Sequence, residues 1–284
     1  MIRATLAVPG DIDTPTGGYL YARRLLEAAR AAGLDLAHLP LPDGFPFPDA
    51  AALEGALAAL AAADPARQLL IDGLAFGALP AEGLARLRAP LAALLHHPLA
   101  LETGLSPEDA RRLEASERAA LACARAVVTP SRATAKTVTE LFDVGPERIT
   151  VATPGLDRGP EAARRRDPPV ILSVGSLTPR KDHETLLAAL ARIADRPWRA
   201  EIVGAEDRDP ACAARVRATT EALGGRATLR GALARPGLDA AYAGADLFCL
   251  ASRYEGYGMV YAEAMARGLP VVAARNDAAE SVIP

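Results

Sequence analysis

A chain of 284 residues, half of them hydrophobic and about a quarter charged, carries enough apolar material for two packed domains, which excludes collagenous, fibrous and disordered classes. The formal net charge of −3 argues against holding nucleic acid by bulk attraction to phosphate. Cys123, Cys212 and Cys249 are odd in number and widely spaced in apolar contexts, so neither a disulfide framework nor a metal centre is expected.

Short apolar runs predict strands at residues 4–8, 34–39, 68–72, 91–96, 126–129 and 149–152, and alanine-rich amphipathic stretches predict helices at 19–32, 50–63, 81–87, 107–123 and 133–142. Strand and helix in alternation predict a parallel sheet covered on both faces. Between Leu156 and Pro169 the texture changes to Gly159-Pro160, three consecutive arginines (Arg164, Arg165, Arg166) and Pro168-Pro169, which predicts a linker. A second alternating series follows, with strands at 170–174, 200–203, 227–229, 246–250 and 270–273. The expected fold class is α/β with two Rossmann-like doubly wound domains, 1–158 and 170–284, joined by a linker at 159–169 and facing a cleft. The opening apolar stretch is too short for a signal peptide, and no stretch is long and uncharged enough to span a bilayer. A cytoplasmic protein is therefore expected, and contact with a membrane surface stays open.

Several strand-to-helix junctions carry residues suited to anions and hydroxyls. Pro9-Gly10 leads through Asp11-Ile12-Asp13 to Gly17-Gly18 ahead of the first helix, and paired glycines at a helix N-terminus let backbone approach an anion closely. Asp11 and Asp13 superficially match a D-x-D metal motif but lack its surroundings, so no metal role is assigned to them. Leu95-His96-His97-Pro98 leaves a strand with two histidines; successive strand side chains point oppositely, which favours one of them, His96, for a site. Glu102 is a candidate to orient one of the pair. Ser131 reads most simply as a helix N-cap. In Gly175-Ser176-Leu177-Thr178-Pro179-Arg180-Lys181-Asp182-His183, a glycine ends a strand and two cations arrive just before an amphipathic helix, with His183 a candidate to cap the loop.

The stretch from Ser252 to Pro270 is the most informative. Glu255 falls in the turn after a buried strand, and Glu263 falls about one turn into the following helix, eight positions on. Helical side chains lean toward the N-terminus, so Glu263 is expected to point back toward Glu255, while the amides near Tyr257, Gly258, Met259 and Val260 offer free donors at a positive dipole end. One pocket then holds hydroxyls and phosphate together.

This E-x7-E spacing, with the flanking glycines and the closing Gly268-Leu269-Pro270, resembles the retaining family-4 glycosyltransferases of the GT-B fold, and Gly175 to Lys181 resembles their diphosphate-binding loop. The resemblance implies transfer of a hexose from a nucleotide diphosphate sugar to an acceptor hydroxyl with retention of configuration, without a metal or resident cofactor. It implies Glu255 on the sugar hydroxyls and Glu263 on the ribose. Arg180, Lys181 and the Tyr257, Gly258, Met259 and Val260 backbone fall to the donor phosphates, Gly17 and Gly18 face the diphosphate, and His96 orders the reacting centre. Members of that family continue beyond the position of Pro284, so the second domain is expected to be incomplete. An epimerase of the same fold and a nucleotide-binding protein without turnover are the alternatives. A dinucleotide-dependent oxidoreductase is disfavoured, because no loop carries a clear G-x-G-x-x-G with its downstream acid.

Overall fold

The computed structural model describes residues 3–14, 16–102, 104–163 and 166–284. Its contacts divide the chain into two units, Met1–Pro154 and Gly155–Pro284.

The first unit runs β1 (Arg3–Pro9), α1 (Gly17–Ala31), β2 (Asp35–Leu41), α2 (Ala50–Ala62), β3 (Gln68–Asp72), α3 (Gly73–Phe76), α4 (Ala81–Leu84), β4 (Leu91–Leu94), α5 (Pro107–Cys123), β5 (Ala126–Thr129), α6 (Arg132–Phe142) and β6 (Ile149–Val151). Its six strands lie in the order β2-β1-β3-β4-β5-β6, every pair parallel. Alternation along the strands explains how the sheet is covered twice. Ala7, Leu69, Ile71 and Ala93 enter one core with Phe76, Leu121 and Val138, while Leu6, Val8 and Leu94 turn to the other face and meet Ala22. Side-chain caps fix where helices begin: Asp49 accepts from Ala52 N, Ser106 from Asp109 N with Pro107 at the first helical position, and Ser131 from Thr134 N.

The second unit runs β7 (Val170–Val174), α7 (His183–Ala191), β8 (Arg199–Val203), α8 (Pro210–Ala222), β9 (Ala227–Leu229), α9 (Arg235–Ala243), β10 (Leu247–Leu250), α10 (Met259–Ala266), β11 (Val271–Ala273) and α11 (Asp277–Val282). The sheet order is β11-β10-β7-β8-β9, again all parallel. Ile171 and Ile202 pack with Leu187 and Val216 on one face; Leu172, Val174, Phe248 and Leu250 pack with Tyr242 and Tyr261 on the other.

Both sheets have a topological switch point, between β1 and β3 in the first and between β7 and β10 in the second. At such a point neighbouring strands send their outgoing loops in opposite directions, leaving a crevice at the carboxyl ends where ligands bind in this class of fold. The loops after β7 and β10 are those that carry Arg180, Lys181 and Glu255.

Three expectations change in detail. The strand expected over 91–96 stops at Leu94, where its neighbour β3 ends at Asp72 and turns into α3. His96 and His97 therefore lie beyond the sheet, and strand alternation does not decide between them. Helix α1 starts at Gly17, so both glycines belong to its first turn. The segment expected as a linker is hydrogen-bonded to the second unit: Ala162 N donates to Arg267 O at 3.0 Å, Ala163 N to Ala243 O at 3.2 Å and Arg166 N to Asp246 Oδ1 at 3.1 Å. Arg164 and Arg165 lie outside the described residues. No helix among the described residues is long and apolar enough to cross a membrane.

Candidate functional site

The loops after β7 and β10 are stitched together. Arg253 N donates to Arg180 O at 2.8 Å, Ser252 Oγ lies 3.1 Å from the same carbonyl, and Arg180 Nη1 donates to Tyr254 O at 3.2 Å. This brings together residues far apart in the sequence: Lys181 Nζ is 2.6 Å from Glu255 Oε1, 74 positions on, and Arg180 Nη1 is 3.5 Å from Glu255 Oε2. Lys181 and Glu255 are both buried, with 9% and 8% exposure, so their ion pair is largely shielded from solvent. Burial alone would raise the Glu255 carboxyl; the adjacent Lys181 and Arg180 charges outweigh it and hold the group below its ordinary value. Two cations on one carboxylate leave a local excess of positive charge.

The backbone that aims Lys181 is unusual. Asp182 sits at φ 49° in the left-handed region, tolerated by a short polar side chain, and its carboxylate N-caps α7 through Thr185 N while pairing with Arg253 Nε at 2.9 Å. His183 does not cap the loop. It is buried beneath it, with Nε2 3.0 Å from Gly175 O and Nδ1 3.3 Å from Ser173 Oγ. Burial pushes its pKa down to about 4, so the ring is neutral; Nε2 donates to the carbonyl and Nδ1 accepts from the serine.

Among the described residues no side chain caps helix α10, whose N-cap is Gly258, so its first-turn amides at Met259 and Val260 are available to an anion. Gly258 has φ 89°, and a Cβ there would lie 2.6 Å from Tyr261 Cδ2, so only glycine fits. Tyr257, Met259 and Val260 are half-buried.

Glu263 is buried on α10 but engages a different set of partners from Glu255. Arg235 Nη1 is 2.9 Å from its Oε1 and Tyr242 Oη is 3.1 Å from its Oε2. Arg235, Asp239, Tyr242 and Arg267 were not singled out by the sequence. Pro236 marks α9 as a helix start, but nothing local signals that Arg235 reaches a carboxylate 28 positions away.

In the first unit, His96 and Gly18 are adjacent: a Cβ on Gly18 would lie 3.3 Å from His96 Cδ2, while one on Gly17 would meet nothing within 4 Å. The His96 ring stands edge-on to Tyr21 with centroids 5.0 Å apart, and its Nε2 lies 3.4 Å from Asp72 Oδ2 without forming a hydrogen bond. His97 takes Glu102 as its neighbour, Nε2 to Oε2 at 3.9 Å. Asp72, which closes β3 and accepts from Leu74 N, was overlooked; its strand-end position before a glycine was the available signal. Asp11 Oδ1 accepts from Asp13 N, tying the first loop to itself. Behind the histidine loop, Glu117 of α5 is fully buried and accepts from Leu99 N at 2.9 Å, with its Oε1 unpartnered among the described residues.

Residues 5–155, more than half of the chain, match the family model for the glycosyl transferase 4-like domain, and residues 168–284 match that for glycosyl transferases group 1. The chain belongs to the glycosyl transferase 4-like family. Similar curated proteins include a D-inositol 3-phosphate glycosyltransferase of Thermomonospora curvata, 31% identical over 201 residues that cover 62% of this chain and 46% of the relative. A mannosylfructose-phosphate synthase of Agrobacterium fabrum is 33% identical over 111 residues, covering 36% of this chain and 24% of that one. The chain thus spans less than half the length of these relatives. Among solved structures, sucrose-phosphate synthase from Thermosynechococcus elongatus superposes with a TM-score of 0.76 at 22% identity, over 95% of this chain and 81% of that one. HepE from Anabaena in complex with UDP-glucose superposes at 0.71 and 19% identity, over 99% and 83%. At these identities the likeness is one of fold, and this glycosyl transferase 4-like chain has the GT-B class of α/β fold with its two parallel sheets. Chemically, its second unit presents a cation pair on the buried Glu255 carboxylate at the switch point, followed along the chain by a glycine-led helix start and the buried Glu263 carboxylate on α10. That is a combination for an anion flanked by hydroxyl groups.

Proposed function

We propose that this chain belongs to an enzyme that transfers a hexose from a nucleotide diphosphate sugar to an acceptor hydroxyl with retention of configuration. The observation that carries it is the convergence of Arg180 and Lys181 on Glu255 at the β7/β10 switch point, eight residues ahead of Glu263 on the helix whose uncapped start faces the same loop system. Departure of a nucleoside diphosphate builds negative charge on its phosphates. Arg180, Lys181 and the first-turn amides of α10 offset that charge in place, with no reorganisation needed at the moment of reaction. Glu255, kept ionised by the same cations, accepts from the sugar hydroxyls, and Glu263 accepts from the ribose. Lys181 and Glu255 pair with each other, so a diphosphate at this loop competes for Lys181 and leaves Glu255 to the sugar.

For the first unit we propose a role on the acceptor side, with His96 ordering the acceptor hydroxyl and Gly18 leaving room for its ring. The complex of HepE with UDP-glucose supports a nucleotide sugar as donor, and the names of the curated relatives support transfer over epimerisation.

The test incubates the protein with UDP-, GDP- and ADP-linked hexoses and a panel of acceptors that includes inositol phosphate, and follows the anomeric configuration of the product by NMR. Glu255→Gln is expected to abolish transfer with an unchanged circular dichroism spectrum. An inverted product, or full transfer by the variant, overturns the assignment.

A further inference from the structure

Glu263 is tied at both carboxylate oxygens by side chains of one neighbouring helix. Arg235 and Tyr242 are seven residues apart on α9, about two turns, and so share a face. Arg235 Nη1 donates to Oε1 at 2.9 Å, and the Tyr242 hydroxyl donates to Oε2 at 3.1 Å, the shorter of its two contacts. The ring of interactions closes on itself. Arg235 Nε also pairs with Asp239 at 3.1 Å, Asp239 accepts from the fully buried Arg267, and Arg267 Nη1 donates to the Glu263 carbonyl oxygen at 2.9 Å. The Tyr242 ring is fixed between Phe248, stacked at 6.0 Å, and the Arg267 guanidinium 4.8 Å from its centroid.

The arrangement has a definite acceptor inventory. A carboxylate oxygen takes two hydrogen bonds, and each oxygen of Glu263 spends one on α9. Among the described residues one acceptor site per oxygen remains, which matches the two donors of a vicinal diol. Burial, followed by the charge of Glu263, pushes the Tyr242 phenol well above its ordinary value, so the hydroxyl keeps its proton and donates throughout the working range. Burial works against the charge on Arg235, but Glu263 and Asp239 outweigh it and hold the guanidinium above its ordinary value.

We infer that Arg235 and Tyr242 are positioning residues, which hold the Glu263 carboxylate in one orientation so that its remaining acceptor sites receive the two ribose hydroxyls of a nucleoside diphosphate. This rests on Glu263 being the ribose ligand, and it adds that the ligand's geometry is set from α9. A carboxylate left to rotate accepts one hydroxyl as readily as two, so discrimination between a ribose and a 2′-deoxyribose depends on the clamp.

The experiment measures the dissociation constants of UDP and 2′-deoxy-UDP by titration calorimetry, with the GDP and ADP pairs run alongside, for wild type, Glu263→Gln, Arg235→Gln, Arg235→Lys and Tyr242→Phe. The readout is the ratio of deoxy to ribo affinity for the best-bound base, because a general loss of packing weakens both ligands together and leaves the ratio unchanged. Wild type is expected to prefer the ribonucleotide by roughly tenfold, the value of one hydrogen bond to a charged group. Tyr242→Phe, Arg235→Gln and Glu263→Gln are expected to bring the ratio to within about threefold of unity, and Arg235→Lys to restore part of it. If Glu263→Gln loses the preference while Tyr242→Phe and Arg235→Gln keep it, the clamp is refuted and the ribose role of Glu263 stands. A wild type without preference, a Glu263→Gln variant that retains it, or failure of all three bases to bind overturns both.

Discussion

Glu117 offers the sharpest quantitative test of the first unit, because its carboxyl is buried among apolar side chains with a single amide donor. Burial raises its pKa from 4.5 to about 8, and the hydrogen bond from Leu99 N only partly offsets that. Between those values the folded state holds a proton that the unfolded state has released, so stability falls as pH rises through the window and is unaffected below it. At about 1.4 kcal/mol per pH unit, the three units between pH 5 and pH 8 are worth up to about 4 kcal/mol. Glu117→Gln removes the titration while its carbonyl keeps the bond to Leu99 N; its amide, placed where Oε1 has no partner, adds a cost that does not vary with pH. Urea unfolding followed by far-ultraviolet circular dichroism at pH 5 and pH 8 therefore isolates the effect. The variant is expected to gain at least about 2 kcal/mol relative to wild type on going from the lower to the higher pH. A difference between variant and wild type that is the same at both values would refute the burial argument.

Lys181→Met removes the nearer of the two cations on the buried Glu255 carboxylate and leaves only Arg180 beside it; it is expected to cost about 1.5–3 kcal/mol, most of it recovered in the double variant Lys181→Met/Glu255→Gln. Fluorescence of Trp198, buried in the same unit, reports the unfolding, and strictly additive losses would refute the coupling. Gly258→Ala forces a Cβ to within 2.6 Å of Tyr261 at a left-handed position and is expected to cost about 1–3 kcal/mol; an unchanged melting temperature would contradict the strain.

The alternation of strands and helices is legible in the residues alone, because buried parallel strands read as short apolar runs and several helix starts carry a capping side chain, such as Ser106 ahead of Pro107 or Ser131. It also marked the loops that matter, since Gly175, Gly258 and the paired cations at Arg180 and Lys181 are local features. Strand order was decided only in three dimensions. Whether β10 lies beside β7 depends on which hydrophobic faces are buried together, and that order alone brings Lys181 against Glu255. The same holds for the partners of Glu263 and for the Asp72 neighbour of His96: residues 28 and 24 positions apart meet through packing of whole elements, which no pattern within one element encodes. The expected alternation of His96 and His97 failed for the same reason, because a strand ends where its neighbour ends and not where its own apolar run stops.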